Sequence, residues 1–359
     1  MIDNHGGNIY DFAKKNGIYE EDIIDFSSNV NWIIDMNNAF NIIENSIMKI
    51  RNYPDINYTL AKARLANYFN VERNQIVLGN GSAELIFLLS QILKNKNVLI
   101  IEPNFSEYQK AAKCLKLNVD QIVGRENNNF KPTNEEIIFS TVENSSVFLS
   151  SPNNPVGYTF SITEIEELLN SFKTKKSTLI LDLAFADFDS EVDYAEINAL
   201  INEYDNLFIL RSLTKSLSIA GIRLGILLSN EKNIEKIKTK TPPWNVNIFA
   251  AEIAENISVF KGETISSLKK ISSLKEEFFN RLSEINSLKI FKSNANYFLI
   301  KILTGSNVFD LQNYLTDKKI LIRNCSNYEG LSDKYFRCAI RSSEENMQLI
   351  TLLKEFFGE

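Results

Sequence analysis

The chain is poor in the residues that most metal and acyl-transfer chemistry needs: one histidine and three cysteines in 359 residues. A zinc site or a serine–histidine relay would have to be built around His5, and Cys114, Cys325 and Cys338 have no metal-ligand spacing, so no metal is expected. An odd number of scattered cysteines offers no disulfide framework, and the chain is expected to be cytoplasmic. No apolar run approaches ~20 residues, which excludes an evident membrane-spanning helix and leaves no membrane partner expected. The opening MIDNHGGNIYDF is polar and mixed in charge, unlike a signal peptide. A basic excess is also missing: 39 Lys and Arg against 45 Asp and Glu give a net charge of −6, which argues against a nucleic-acid partner.

What is present is apolar bulk. At 44% hydrophobic over 359 residues the chain can bury a large core, and its length favours two domains. Short apolar runs at Gln75–Leu78, Val98–Ile101, Ser146–Leu149, Leu179–Leu181, Leu207–Leu210 and Gly225–Leu228 alternate with helical patterns. That alternation predicts an α/β fold, a large domain whose mostly parallel sheet is sandwiched by helices. After Pro242-Pro243 the pattern changes to a long helical region, Ile248 to Leu282. Strands at Tyr297–Ile300, Ile320–Arg323 and Tyr335–Ala339 and a closing amphipathic helix follow, so a smaller α+β domain is expected. The expected division is 1–48 for an N-terminal arm and part of the small domain, 49–240 for the large domain, and 241–359 for the small C-terminal domain.

Several loops that follow strands carry polar groups. In LRSLTKSLSIAGIRLG, Lys215 lies just past a strand's carboxyl end, where open α/β sheets bind ligands. A partly desolvated lysine amine condenses readily with a carbonyl, and Ser212, Thr214 and Arg223 are spaced to hold a phosphate, together suiting a phosphorylated aldehyde. The GNGSAE turn joins a strand to a helix, so the backbone N–H groups of Ser82 and Ala83 would face an anion; a helix cap by Ser82 accounts for the same residues. Asp182 ends an apolar strand, and a buried carboxylate needs a partner such as a protonated ring nitrogen. Asn154 is placed to donate to a ring hydroxyl, and Tyr108 to lay its ring on a cofactor face.

The order GNGSAE, EPNFSEY, SPNNPVG, LDLAF, SLTK with an arginine eight residues on, and YFRCAIR resembles the pyridoxal-phosphate enzymes of the aspartate-aminotransferase fold over essentially the whole chain. Within that group HGGNIY, DFSSNVN, PPWNVN and RNCSNYEGL most resemble the threonine-phosphate decarboxylases, relatives of the histidinol-phosphate aminotransferases. The resemblance implies the cofactor pyridoxal 5'-phosphate, with Lys215 as its Schiff-base lysine, Asp182 at the pyridine nitrogen, Asn154 at the 3-hydroxyl and Tyr108 stacked on the ring. Ser82, Ala83, Ser212, Thr214 and Arg223 would hold the cofactor phosphate. Tyr53, in NYPD, would reach that phosphate from a second subunit, implying a homodimer with shared sites. Arg337 would bind a substrate carboxylate; Arg323, His5 and either Asn29 or Asn31 are candidates for a substrate phosphate.

The implied reaction is decarboxylation of an O-phosphorylated amino acid in cobamide biosynthesis, threonine phosphate giving aminopropanol phosphate or serine phosphate giving ethanolamine phosphate. The alternatives are a histidinol-phosphate-type aminotransferase and a non-catalytic regulator that keeps the fold. Two departures stand out. Asp182-Leu183 replaces the usual Asp-Glu, and Trp32 stands where the decarboxylases have a proline.

Overall fold

The computed structural model describes residues 6–93 and 97–359. A short strand β1 (Ile24–Asp25), outside the main sheet, precedes that sheet's seven strands: β2 (Ile76–Asn80), β3 (Asn97–Glu102), β4 (Val119–Val123), β5 (Ser145–Ser150), β6 (Thr178–Asp182), β7 (Leu207–Ser212) and β8 (Leu224–Leu228). Their spatial order is β2-β8-β7-β6-β5-β3-β4, and β8 alone runs against its two neighbours. Apolar side chains alternate between the faces. Leu149, Leu181 and Ile209 pack under the helices Thr59–Phe69, Ile162–Thr174 and Ile248–Glu255, whereas Phe148, Ile180, Phe208 and Leu210 pack against Gly81–Ile92, Glu107–Cys114 and Glu231–Lys238. Both faces are thus covered, which is why these strands read as continuous apolar runs.

Edge strand β4, VDQIV, has no buried residue and showed no such run. Its polar residues face solvent, and it is held by parallel pairing to β3. In the central strands the register aligns the carboxyl ends: Ser150 pairs with Asp182, and Asp182 with Leu210. The polar groups that end these strands therefore lie side by side.

The second sheet is antiparallel, built from β9 (Leu288–Ile290), β10 (Tyr297–Ile302), β12 (Arg323–Asn324) and β13 (Tyr335–Ala339) in the order β12-β13-β10-β9. Its core closes with the helices Lys261–Ser283, Val308–Thr316 and Ser343–Phe357. The run expected as one strand, Ile320 to Arg323, divides: β11 (Ile320–Leu321) pairs in parallel with β1 in the arm, and β12 pairs with β13. The long helical region also divides, at a short 3-10 turn Ile257–Phe260. Val246, Ala250, Ile253 and Phe260 lie in the large sheet's core, so the small unit's own core begins with Lys261–Ser283. No helix among the described residues is long and apolar enough to cross a membrane.

Candidate active site

The carboxyl ends of β5, β6 and β7 open on a cavity of about 130 Å³ lined by Ser82, Ala83, Phe105, Tyr108, Ser150, Pro152, Asn154, Asp182, Ala184, Phe185, Ser212, Thr214, Lys215 and Arg223. Nine residues singled out in the sequence meet here. Phe105, Ser150, Pro152, Ala184 and Phe185 were not among them; Ser150 ends β5 just before SPNNPVG, and the other four are apolar loop residues inside the motifs EPNFSEY, SPNNPVG and LDLAF.

Lys215 projects from the four-residue turn of helix Leu213–Ser216 directly after β7. Its Nζ lies 5.9 Å from the centre of the Phe185 ring and has no hydrogen-bond or ion-pair partner among the described residues. Burial, reinforced by the Arg337 and Arg223 charges and opposed by Asp182, brings its pKa down to about 8. Much more of the amine is therefore neutral near physiological pH than for a solvated lysine.

Asp182 is 5% exposed and fully engaged. One carboxylate oxygen accepts the Tyr108 hydroxyl at 2.6 Å and the other accepts the Ala184 N–H at 2.9 Å. Burial raises its pKa, while these two donors and Lys215 act against that rise. Tyr108 itself is pushed well above the ordinary phenol value, chiefly by burial, so it stays a donor. Its ring is stacked on Phe148 at 4.9 Å and also lines the cavity.

At the other end, Gly81–Ile92 begins at the cavity wall without a side-chain cap on its first N–H groups. Gly81 has φ +75, and a Cβ there would come within 2.4 Å of an Arg223 guanidinium nitrogen. Only glycine allows the turn and the arginine to share this space. The Ser212 and Thr214 hydroxyls are 2.7 Å apart beside them. The corner offers hydroxyls, backbone N–H groups and a guanidinium, and Asp182 is the one carboxylate among the described residues that line the cavity. That donor set suits a phosphate dianion.

A second cavity, of about 410 Å³, shares Ala83, Phe105, Asn154, Phe185, Lys215 and Arg223 with the first and adds Gly6, Ser27, Ser28, Asn29, Glu107, Lys110, Arg323, Tyr328 and Arg337. Arg337 is 4% exposed; its guanidinium donates to Asn154 Oδ1 and, at 2.8 Å, to the Ser27 carbonyl. A guanidinium only donates, so the Asn154 oxygen faces it, and the Asn154 NH₂ is left free to donate elsewhere. Among the described residues, Arg337 Nε is buried with no hydrogen-bond partner, as are both polar atoms of the Asn29 side chain. Arg323 lies 5.1 Å from the Tyr328 ring centre and donates to Asn327 Oδ1 at 2.9 Å.

The two asparagines of DFSSNVN separate. Asn29 lines the cavity, but Asn31 does not: its amide donates to the Ser216 carbonyl and Ser267 Oγ, both at 2.9 Å, and its backbone N–H to the Lys215 carbonyl at 2.9 Å. Asn31 is thus a brace behind Lys215, with no donor left for a substrate phosphate. Tyr53 is 77% exposed, stacked on Trp244 at 4.5 Å, and lines neither cavity. His5 lies outside the described residues. Of the departures, Leu183 is 1% exposed in the large core, an apolar residue in apolar surroundings. Trp32 covers the Arg341 guanidinium at 4.0 Å and donates to the Ser28 carbonyl, pinning the loop that carries Ser27 and Asn29.

The family model for aminotransferase class I and II matches residues 21–353. The chain is 33% identical, over 99% of its length, to the adenosylcobalamin biosynthesis bifunctional protein CobDQ of Leptospira interrogans, of which it spans 41%. It is 32% identical to the threonine-phosphate decarboxylase of Salmonella typhimurium, covering 98% of this chain and 95% of that one. The crystal structure of the histidinol-phosphate aminotransferase of Clostridium acetobutylicum superposes with a TM-score of 0.85 at 32% identity, covering 92% of this chain and 98% of that one. The chain belongs to the class I and II aminotransferase family and has the aspartate-aminotransferase fold. Pyridoxal phosphate is the cofactor of that family, and the phosphate corner, the buried Asp182 and the unpaired Lys215 amine fit it.

Proposed function

We propose that the protein is a pyridoxal-phosphate-dependent decarboxylase of an O-phosphorylated amino acid, L-threonine O-3-phosphate or L-serine O-phosphate. One observation carries this reading: Lys215, Arg337 and Arg323 line a single cavity that adjoins the phosphate corner. An amino acid phosphate presents an amine, a carboxylate and a phosphate, and each finds a counterpart there. The likeness to the cobalamin biosynthesis protein of Leptospira and the threonine-phosphate decarboxylase of Salmonella supports the same reading.

When bound, pyridoxal phosphate takes up an amine through its aldehyde and offers an electron-poor ring to the electrons of a bond broken at Cα. Ser82, Ala83, Ser212, Thr214 and Arg223 would hold its phosphate, Asp182 would keep its ring nitrogen protonated, and Asn154 would donate to its hydroxyl. Tyr108 holds Asp182 in place and walls the ring. Arg337 would take the substrate carboxylate, and Arg323 with Asn29 the substrate phosphate. Lys215, whose buried amine lines the same cavity, would hold the proton that is returned to Cα. The balance is one carboxylate lost as carbon dioxide and one proton gained at the same carbon.

The active unit in this reading is a homodimer. Met48, Ile50, Tyr53 and Ile56 are 68%, 61%, 77% and 51% exposed, an apolar stretch suited to a second copy. Tyr53 on that face reaches the partner's phosphate corner.

Incubation of the holoprotein with each phosphoamino acid, with 2-oxoglutarate present as amino acceptor, tests the assignment. The expected result is carbon dioxide and amine phosphate in equal amounts. Conversion of the phosphoamino acid to its 2-oxo acid without carbon dioxide would overturn it in favour of an aminotransferase, as the Clostridium neighbour is named.

A further inference from the structure

We propose that Glu126 is a positioning residue, a latch that joins the large unit to the small sheet and fixes how far Arg337 reaches into the substrate cavity. The proposal rests on the reading of Arg337 as a carboxylate site.

Glu126 opens the short turn Glu126–Asn128 that follows edge strand β4. Three donors of the small sheet converge on its carboxylate: Lys289 Nζ at 2.9 Å from β9, Lys301 Nζ at 2.7 Å from β10, and the Tyr335 hydroxyl at 2.7 Å from β13. Among the described residues no other ion pair joins the large sheet's unit to the small sheet. The contact is reinforced by Phe130, four residues on, whose ring meets Phe291 at 5.4 Å and Tyr335 at 5.9 Å. Burial acts against the charge on Glu126, but the hydrogen bonds from Lys301, Lys289 and Tyr335 outweigh it and bring the carboxyl down to about 2.

The link to Arg337 follows from strand geometry. Lys301 and Tyr335 are directly opposed across β10 and β13, and Leu299 and Arg337 are the next pair along the same face. A carboxylate from the large unit thus grips one end of this two-strand ribbon. Two residues further along, Arg337 crosses to Asn154 and Ser27, and beside it Tyr297 donates to the Asn153 carbonyl at 2.7 Å. Cutting the latch leaves all these groups in place but lets the ribbon shift relative to Asn154. Errors of that kind are costly, since ~1 Å of misplacement can cost ~100-fold in a positioned reaction.

The test uses succinate, which carries only carboxylates and does not react, titrated into the holoprotein by calorimetry. Glu126→Gln is expected to weaken succinate about tenfold, with the circular dichroism and the absorption of the bound cofactor as in wild type. Lys289→Met, which leaves two donors on the carboxylate, is expected to weaken it about threefold. In an Arg337→Lys background Glu126→Gln should add less than a twofold effect, because the latch acts through Arg337. Equal affinity in Glu126→Gln, a full tenfold loss that persists in the Arg337→Lys background, or no succinate binding to wild type would each overturn the proposal. Turnover of L-threonine O-3-phosphate and L-serine O-phosphate is measured separately: a wild type that binds succinate in this pattern but releases carbon dioxide from neither would discard the decarboxylase reading and keep the latch.

Discussion

Tyr108 gives its phenolic hydrogen to Asp182 at 2.6 Å while its ring rests on Phe148, so one side chain both holds the buried carboxylate and walls the cavity. Removing the hydroxyl leaves one Asp182 oxygen buried without its donor. A charged group stripped of such a bond loses about 2 kcal/mol, and Asp182 would then hold a protonated ring nitrogen less well. Tyr108→Phe is expected to bind pyridoxal phosphate ~30-fold more weakly, read by titration of the cofactor-free protein; an unchanged dissociation constant would deny Asp182 that role.

Lys215 makes the stability of the cofactor-free protein depend on pH. Its folded-state pKa of about 8 lies below the ordinary lysine value of 10.5. Between those values the unfolded chain binds more protons than the folded one, so stability rises with pH across that window. Below it the full penalty is present. Lys215→Met, which has no charge to bury, is expected to be more stable at pH 7 by up to ~3 kcal/mol, with the advantage fading by about pH 10.5. Denaturant unfolding of both cofactor-free proteins at pH 7 and pH 10 checks this; a gap that does not shrink would contradict it.

The phosphate corner depends on an absent Cβ. Gly81→Ala forces a side chain into a positive φ and against Arg223, which costs about 1–2 kcal/mol in the backbone alone. Because Arg223 must also move, affinity for pyridoxal phosphate should fall more than affinity for pyridoxal, which has no phosphate. An equal loss for the two would mean that the corner holds something other than the phosphate.

Shared sites make a mixing prediction. If Tyr53 serves the partner's site, Lys215→Ala and Tyr53→Ala dimers are each impaired, yet a mixed dimer contains one site with both residues intact. Equilibrated mixtures should recover about a quarter of the wild-type sites. No recovery in demonstrably mixed dimers would place Tyr53 outside the partner's site.

The large sheet was legible because β5, β6, β7 and β8 are buried throughout and their residues say so. Strand β4 was not, since a solvent-facing edge strand has neither an apolar run nor clean alternation. The cavity residues that follow strands were legible for a related reason: sheet register places whatever ends β5, β6 and β7 in one row. The substrate side was less so. Asn29 and Asn31 are the same residue type two positions apart, and only the fold shows that one lines the cavity while the other braces Lys215. Glu126 gave no signal at all, because its three partners are more than 160 positions away in the chain.

Which bond at Cα is broken is read directly with L-serine O-phosphate, or L-threonine O-3-phosphate, carrying deuterium at Cα. Decarboxylation at this site predicts an amine phosphate that keeps the original deuterium beside one solvent-derived hydrogen, with one carbon dioxide released per molecule. Loss of the deuterium to solvent without carbon dioxide would contradict the account and assign the site to amino-group transfer.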